Sequence, residues 1–187
     1  MKLVYAMCGS FCTHEKSLNI LKKLASEHTV VPAFSEIART ADTRFGTAAD
    51  LLKKVFAFTD KEPICGVPQA ESVVTRGGFD AVIVSPCTGN TLAKIANGIT
   101  DNTVTMCVKA QLRNLKPVII ALATNDGLGA NLKNIAAALE KKNVYFVPFG
   151  QDAPLDKPTS LICDFSLLEL TLDSALKGKQ IQPLLLQ

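Results

Sequence analysis

Neither sign of charge predominates in this chain: the net is +3 over 187 residues, and its only lysine doublets are Lys22-Lys23, Lys53-Lys54 and Lys141-Lys142. All three doublets fall in stretches that read as helices, where a solvated helix face accounts for them. No basic patch is left to argue for nucleic acid or for an anionic membrane surface. Long apolar runs are missing too, and none approaches the roughly 20 residues that cross a bilayer. Small residues precede Cys8 in MKLVYAMCGS, as in a lipoprotein signal, but the stretch is too short for one and reads as a buried strand. A cytoplasmic protein is expected. The six cysteines contain no CxxC pair and form no cluster with His14 or His28 at zinc spacing, so no metal site is expected. A chain 48% hydrophobic has core enough without disulfide staples.

What is present is an alternation. Short apolar runs at 3–8, 29–34, 81–85, 117–123 and 144–148 read as strands, several of them apolar throughout, as parallel strands covered on both faces are. Between them lie helical stripes: Leu18/Leu21/Leu24/Ala25, with Thr13 as cap and Glu15 in the first turn; Leu51/Leu52/Val55/Phe56; and Leu92/Ile95/Ala96/Ile99. Later stripes are Val104/Cys107/Val108/Leu112, ending at Asn114; Leu132/Ile135/Ala136/Leu139; and Phe165/Leu168/Leu172/Leu176, closed by Gly178. No repeat or linker divides residues 1–187, so one domain is expected. The alternation predicts a three-layer α/β fold around a doubly wound, mostly parallel sheet.

In such a sheet ligands bind beyond the carboxyl ends of the strands, and that is where the polar clusters fall. The first strand runs into Gly9-Ser10-Phe11-Cys12-Thr13, the second into Ser35-Glu36, the third into Pro86-Cys87-Thr88-Gly89-Asn90-Thr91, and the fourth into Thr124-Asn125-Asp126-Gly127. Glycine at a strand-to-helix turn admits close backbone approach, and free N–H groups with the helix dipole favour a phosphate. Each cluster alone is equally a cap or a turn; four on one edge point to a phosphate-bearing ligand. The dinucleotide motif GxGxxG, the P-loop GxxxxGK[ST] and the serine elbow GxSxG are all absent. A single-phosphate cofactor with a planar ring, such as FMN in a flavodoxin-like crevice, remains.

The run SPCTGNTLAKIANGITDN, from Ser85 to Asn102, resembles the signature of the FMN-binding flavoprotein family of cysteine-decarboxylase type, which includes phosphopantothenoylcysteine decarboxylase and the flavin prenyltransferases. TADTRFG, MCVKAQLRNLKPV, NVYFVPFGQDAPLDKPTSL and ALKGKQIQPLLLQ resemble one branch of that family, the B subunits of dipicolinate synthase, and the likeness spans nearly the whole chain. The resemblance implies a flavodoxin-like fold assembled from trimers. It also implies a partner, the A subunit of dipicolinate synthase, with a nicotinamide-binding domain. Together the two would oxidise a dihydrodipicolinate-level precursor to pyridine-2,6-dicarboxylate in the mother cell of a sporulating bacterium. Position by position, it assigns the flavin site to Gly9, Ser10, Ser35, Thr88, Gly89, Asn90, Thr91, Thr124 and Asn125. NADP, in this crevice or on the partner, is the alternative cofactor.

Catalytic candidates are fewer. Arg44 is the first choice to hold a substrate carboxylate bidentately; Lys94 and Arg113 rank behind it. Asp42 and Asp101 are bases or turn caps. Cys87, beside a helix N-terminus, is either a nucleophile of lowered pKa or a packed small residue. The family's decarboxylases use a histidine between the second and fourth strands, and none stands there. His14 reads as a solvated or capping residue and His28 as a cation at a helix end. The prenyltransferases' arginine turn reads Ala123-Thr124-Asn125. A stand-alone FMN decarboxylase or prenyltransferase, and a non-catalytic flavin-fold subunit, are the alternatives. The segment FGQDAPLDKP is expected to be a connecting loop, a lid or a docking surface.

Overall fold

A computed structural model describes residues 1–186. The chain begins with β1 (Lys2–Met7), α1 (His14–Glu27), β2 (Thr29–Phe34), α2 (Glu36–Thr40), α3 (Ala48–Thr59) and α4 (Val67–Arg76). It continues through β3 (Ala81–Cys87), α5 (Gly89–Asn97), α6 (Thr103–Arg113), β4 (Val118–Thr124), α7 (Leu132–Leu139) and β5 (Val144–Phe146). It closes with β6 (Phe149–Gln151), β7 (Leu161–Cys163) and α8 (Leu168–Ala175). The sheet order is β2-β1-β3-β4-β7-β6, with β5 also paired to β4. β2, β1, β3, β4 and β5 are mutually parallel, and β7 joins β4 antiparallel. β1 crosses by α1 to β2 on one side, and the chain then returns to β3 on the other, so the switch point lies between β1 and β3. This is the flavodoxin-like arrangement whose crevice opens at that point.

The central strands are apolar because both faces are covered. α1, α3 and α8 pack on one face, α4 to α7 on the other, and every residue of β3 is buried. That dry interior contains one polar knot. The hydroxyls of Tyr5 on β1, Ser17 on α1 and Ser85 on β3 form a triangle with sides of 2.9, 2.9 and 3.0 Å. The Tyr5 hydroxyl also lies 2.9 Å from the Ser17 carbonyl and Ser17 Oγ 2.8 Å from the Ser85 carbonyl, so three hydroxyl protons serve five contacts. All three residues are fully buried. Burial pushes the Tyr5 phenol well above its ordinary value, with the serine hydroxyls pulling the other way. The knot pins α1 across β1 and β3 just below the switch point.

Several expectations need correction. α2 and α4 leave no stripe in the sequence: α2 is a single short turn held by its cap, and α4 buries only Ala70 and Val74. The segment 149–158 does not simply connect, for Phe149–Gln151 begins a hairpin that β7 completes. Phe56, Leu132, Leu139 and Leu176 belong to expected stripes yet are 45%, 51%, 37% and 40% exposed, and Ile99 lies past the left-handed Gly98 that ends α5. Lys141-Lys142 occupies the turn after α7. Thr13 stands at the start of α1, but its hydroxyl donates back to the Ser10 carbonyl and caps nothing. Among the described residues no helix is long and apolar enough to cross a membrane, and no three His, Cys, Asp or Glu residues are placed to hold a metal.

Tyr5→Phe keeps the shape of the knot and removes its central hydroxyl, leaving Ser17 and Ser85 bonded to each other. A stability loss of about 1–2 kcal/mol is expected in urea unfolding, with the far-ultraviolet spectrum unchanged.

Candidate functional site

Beyond the carboxyl ends of β1, β3 and β4 lies a groove of about 450 Å³, lined in part by Gly9, Ser10, Phe11, Cys12, Arg44, Phe45, Thr88, Thr124, Asn125, Asp152, Lys157 and Ser160. Its floor is the turn after β1. Gly9 suits the close packing there, since a Cβ would lie 2.7 Å from Ile37 Cγ2 and displace it. The Thr13 amide and hydroxyl both donate to the Ser10 carbonyl, at 3.0 and 2.8 Å, and wind the chain into a 3₁₀ turn. Among the described residues no backbone carbonyl accepts from the amides of Ser10, Phe11 or Cys12, and the Ser10 hydroxyl has no protein partner. These donors open ahead of the 14-residue α1, whose dipole adds positive potential.

The turn after β3 is more self-contained. Thr88 Oγ1 accepts from the Thr91 amide at 3.3 Å, which caps α5, and donates to Thr91 Oγ1 at 3.1 Å, so both hydroxyls are engaged within the turn. Of the four residues 88–91, only Thr88 lines the groove, and Asn90 is exposed outside it. Gly89 answers to a protein contact: a Cβ there would collide with Asn131 Nδ2 and stand 2.5 Å from Thr124 Oγ1 and 2.8 Å from Asp126 Oδ1. Those groups form a network of their own. Thr124 Oγ1 donates to Asp126 Oδ1 at 2.5 Å, Asn131 Nδ2 donates to both Asp126 oxygens at 2.9 and 2.8 Å, and Asn134 Nδ2 donates to Asn131 Oδ1 at 2.8 Å. The Thr124 hydroxyl leads among the groups that hold the Asp126 carboxyl below its usual range; burial opposes it and Asn131 assists.

The other sequence candidates divide plainly. Gly9, Ser10, Thr88, Thr124, Asn125 and Arg44 are brought together at the groove; Ser35, Gly89, Asn90, Thr91, Cys87 and Asp101 do not line it. Ser35 caps α2, accepting from the Ala38 amide at 3.4 Å. Asp101 accepts from Lys94 Nζ at 2.6 Å in a separate depression, and that ion pair lowers its carboxyl. The expected lowering of the Cys87 thiol is overturned. The residue is fully buried, and loss of solvent drives its pKa well above the ordinary value despite the neighbouring helix start. Asp42 accepts from the Ala48 amide at 2.9 Å, and Arg113 ends α6 at the opposite edge of the sheet. His14 is half-buried rather than solvated. Its Nε2 lies 2.7 Å from the Cys8 carbonyl, and burial lowers its pKa while that carbonyl opposes the shift.

What the sequence did not reveal is the second wall of the groove, built by the β6–β7 hairpin. Ser160 Oγ donates to Asp152 Oδ1 at 2.5 Å, Lys157 Nζ lies 3.4 Å from Asp152 Oδ2, and Thr159 Oγ1 ties the hairpin to the Asn125 carbonyl at 2.7 Å. Burial works against the Asp152 charge, but the Ser160 hydroxyl and the Lys157 ammonium prevail and hold its carboxyl low. The short run Ser160-Leu161-Ile162-Cys163, set nine residues after Gln151 across a proline loop, was the available signal for the hairpin. Arg44 projects from the tight Thr43–Gly46 turn, with its guanidinium carbon 4.9 Å from the centre of the Phe45 ring.

Comparison with known proteins adds four findings. The family model described as Flavoprotein matches residues 1–168. The B subunit of dipicolinate synthase from Bacillus subtilis (strain 168) is 36% identical over 187 residues, covering 100% of this chain and 94% of that protein. The crystal structure of the B subunit of dipicolinate synthase from Bacillus halodurans superposes with a TM-score of 0.91 at 36% identity, over 100% of this chain and 96% of that one. The FMN-dependent cysteine decarboxylase TvaF of thioviridamide biosynthesis shares the fold at TM-score 0.65 and 24% identity, over 94% and 98%.

The lowered Asp126 carboxyl generates a pH-dependent expectation. A group whose folded pKa is depressed contributes stability above its unfolded value and loses that contribution as pH falls through the folded one. Asp126→Asn should therefore lower the unfolding free energy at neutral pH by about 1–3 kcal/mol. The gap to the parent protein should close as acid protonates the native carboxylate, which urea titrations at a series of pH values would read. Gly89→Ala tests the same contact from α5 and should cost about 1–3 kcal/mol by overpacking.

Proposed function

The chain belongs to the flavoprotein family, and from that premise we propose that it acts as the B subunit of a dipicolinate synthase, holding FMN in the groove at the β1 turn. The observation that carries this reading is the match to two B subunits over the full chain at 36% identity, beside a groove-lining turn whose Ser10, Phe11 and Cys12 amides have no backbone acceptor among the described residues. In this reading it is one oxidoreductase unit. It works in the cytoplasm with the nicotinamide-binding A subunit, in a homo-oligomer, and the pair oxidises a dihydrodipicolinate-level precursor to pyridine-2,6-dicarboxylate during sporulation.

The residues present fit the cofactor. A groove of about 450 Å³ lies in the range of small-molecule sites. The amides of Ser10, Phe11 and Cys12 and the Ser10 hydroxyl would take the phosphate, a charge that neutral N–H donors at a helix start accept well. Phe11, Phe45, Leu161 and Ile162 offer apolar surface for the ring system. When bound, the flavin supplies a hydride acceptor, and the protein's part is placement and polarity.

The remaining work falls to few groups. Asp152 is the one carboxylate among the groove-lining residues, and no histidine lines the groove. Held low by its neighbours, Asp152 stays ionised at neutral pH, which suits an electrostatic role better than proton abstraction. Proton removal in the oxidation is therefore assigned to the partner or to solvent.

A visible absorbance spectrum of the purified chain, followed by FMN titration, tests the proposal. Saturable binding is expected, with Kd rising up to about tenfold in Ser10→Ala, the worth of one hydrogen bond to a charged group. No uptake at high FMN concentration would remove flavin from this protein.

A further inference from the structure

Two cations line the groove, and they come from opposite flanks of the β1 turn. Arg44 stands in the connection between α2 and α3, on the β2 side of β1; Lys157 stands in the β6–β7 hairpin, which pairs onto β4 on the other side. Arg44 has no carboxylate partner among the described residues and rests its guanidinium on Phe45. Lys157 is only loosely committed. Its contact with Asp152 is 3.4 Å long, its side chain is 55% exposed, and Asp152 has a closer partner in Ser160 at 2.5 Å. If Lys157 turned to another anion, Asp152 would keep that hydroxyl.

Resting on the reading just given, we propose that Arg44 and Lys157 form a two-point clamp for the two carboxylates of a pyridine dicarboxylate, with Asp152 as the counter-ion that keeps Lys157 at the groove wall. A flavin phosphate does not need these cations, because the open amides of Ser10 to Cys12 lie between them. A single cation binds a monoacid and a diacid almost alike. Two cations on separate loops discriminate, since only a diacid engages both at once. Arginine on one side supplies a fixed fork, and lysine on the other a mobile point charge that tolerates the approach of a rigid ring.

The test is calorimetric titration of the full chain with pyridine-2,6-dicarboxylate and with pyridine-2-carboxylate, alongside FMN titration followed by flavin fluorescence. The parent protein should prefer the diacid. Arg44→Gln and Lys157→Gln should each weaken diacid binding by about tenfold or more, the loss expected for a charge-assisted hydrogen bond. The monoacid should weaken less, FMN affinity should hold, and Lys157→Arg should retain the preference. A preference unchanged in both Gln variants overturns the clamp, as does a parent protein that binds no diacid. A parallel fall in FMN and diacid affinity also overturns it, assigning the cations to the flavin phosphate and leaving the flavin reading intact. Diacid preference lost in the variants of a chain that takes up no FMN upholds the clamp and sinks the flavin reading alone.

Discussion

The triangle of Tyr5, Ser17 and Ser85 is the interaction on which the site's geometry rests. Three hydroxyls in a fully buried position would each be costly if unpaired; with their three protons shared among one another and two backbone carbonyls, they become a directional lock in a core that otherwise packs without direction. A parallel sheet of apolar strands tolerates small slips of a helix across its face. A bonded serine on α1 does not. With Ser17 fixed against β1 and β3, the start of α1 is fixed too, and with it the groove-lining turn at Ser10 to Thr13, where the Ser10, Phe11 and Cys12 amides have no backbone acceptor among the described residues. Ser85 is thus a polar residue at a strand end whose partners lie inside the protein.

Gly89 extends the same lesson to the turn after β3. A glycine between threonines ahead of a helix is the pattern of an anion cradle, yet here the space its missing side chain leaves is taken by Thr124, Asp126 and Asn131. Two turns, after β3 and after β4, are thereby packed against each other as one wall. The Asp126 carboxylate gathers the hydroxyl and the amide that would otherwise be free, and the wall presents Thr88 and Asn125 to the groove while keeping most of its polar atoms for itself.

How much of this is legible in the sequence follows from range. The parallel strands and most helices are readable, because an apolar run or a 3.6-residue stripe is a local property; β2 falls where its apolar run does, to the residue. α4 escapes because its buried face is two residues wide, and Phe56, Leu132 and Leu139 read as core because a stripe shows which face is apolar and not whether anything covers it. At the site, Gly9, Ser10, Thr88, Thr124, Asn125 and Arg44 are legible as residues of the groove, five of them from strand-end position. Asp152, Lys157 and Ser160 are not, since they reach the groove only through antiparallel pairing between strands separated by a proline loop. Cys87 is left with two readings for a related reason: proximity to a helix start is visible in sequence, whereas the burial that decides for a packed small residue is not.

The two walls differ in how firmly they are held, and that difference bears on what each can do. The β1 turn and the β3–β4 wall are anchored by buried groups, so donors there are preorganised and lose little freedom when an anion arrives. The hairpin wall is joined to β4 by two residue pairs and a few side-chain bonds, and most of residues 151–159 are exposed. In the proposed reading, the cofactor, which stays bound through many turnovers, belongs against the rigid side, where neutral amides would balance its phosphate without collapsing on one another when it is absent. A substrate that must enter and leave belongs against the pliable side. The loosely held charge of Lys157 stands there, with Asp152 ready to neutralise it between visits. In the proposed reading this division explains why the groove needs so few titratable groups: the chain's task is to present a dicarboxylate to a redox centre in one orientation, and orientation is what two separated cations on unequal walls supply.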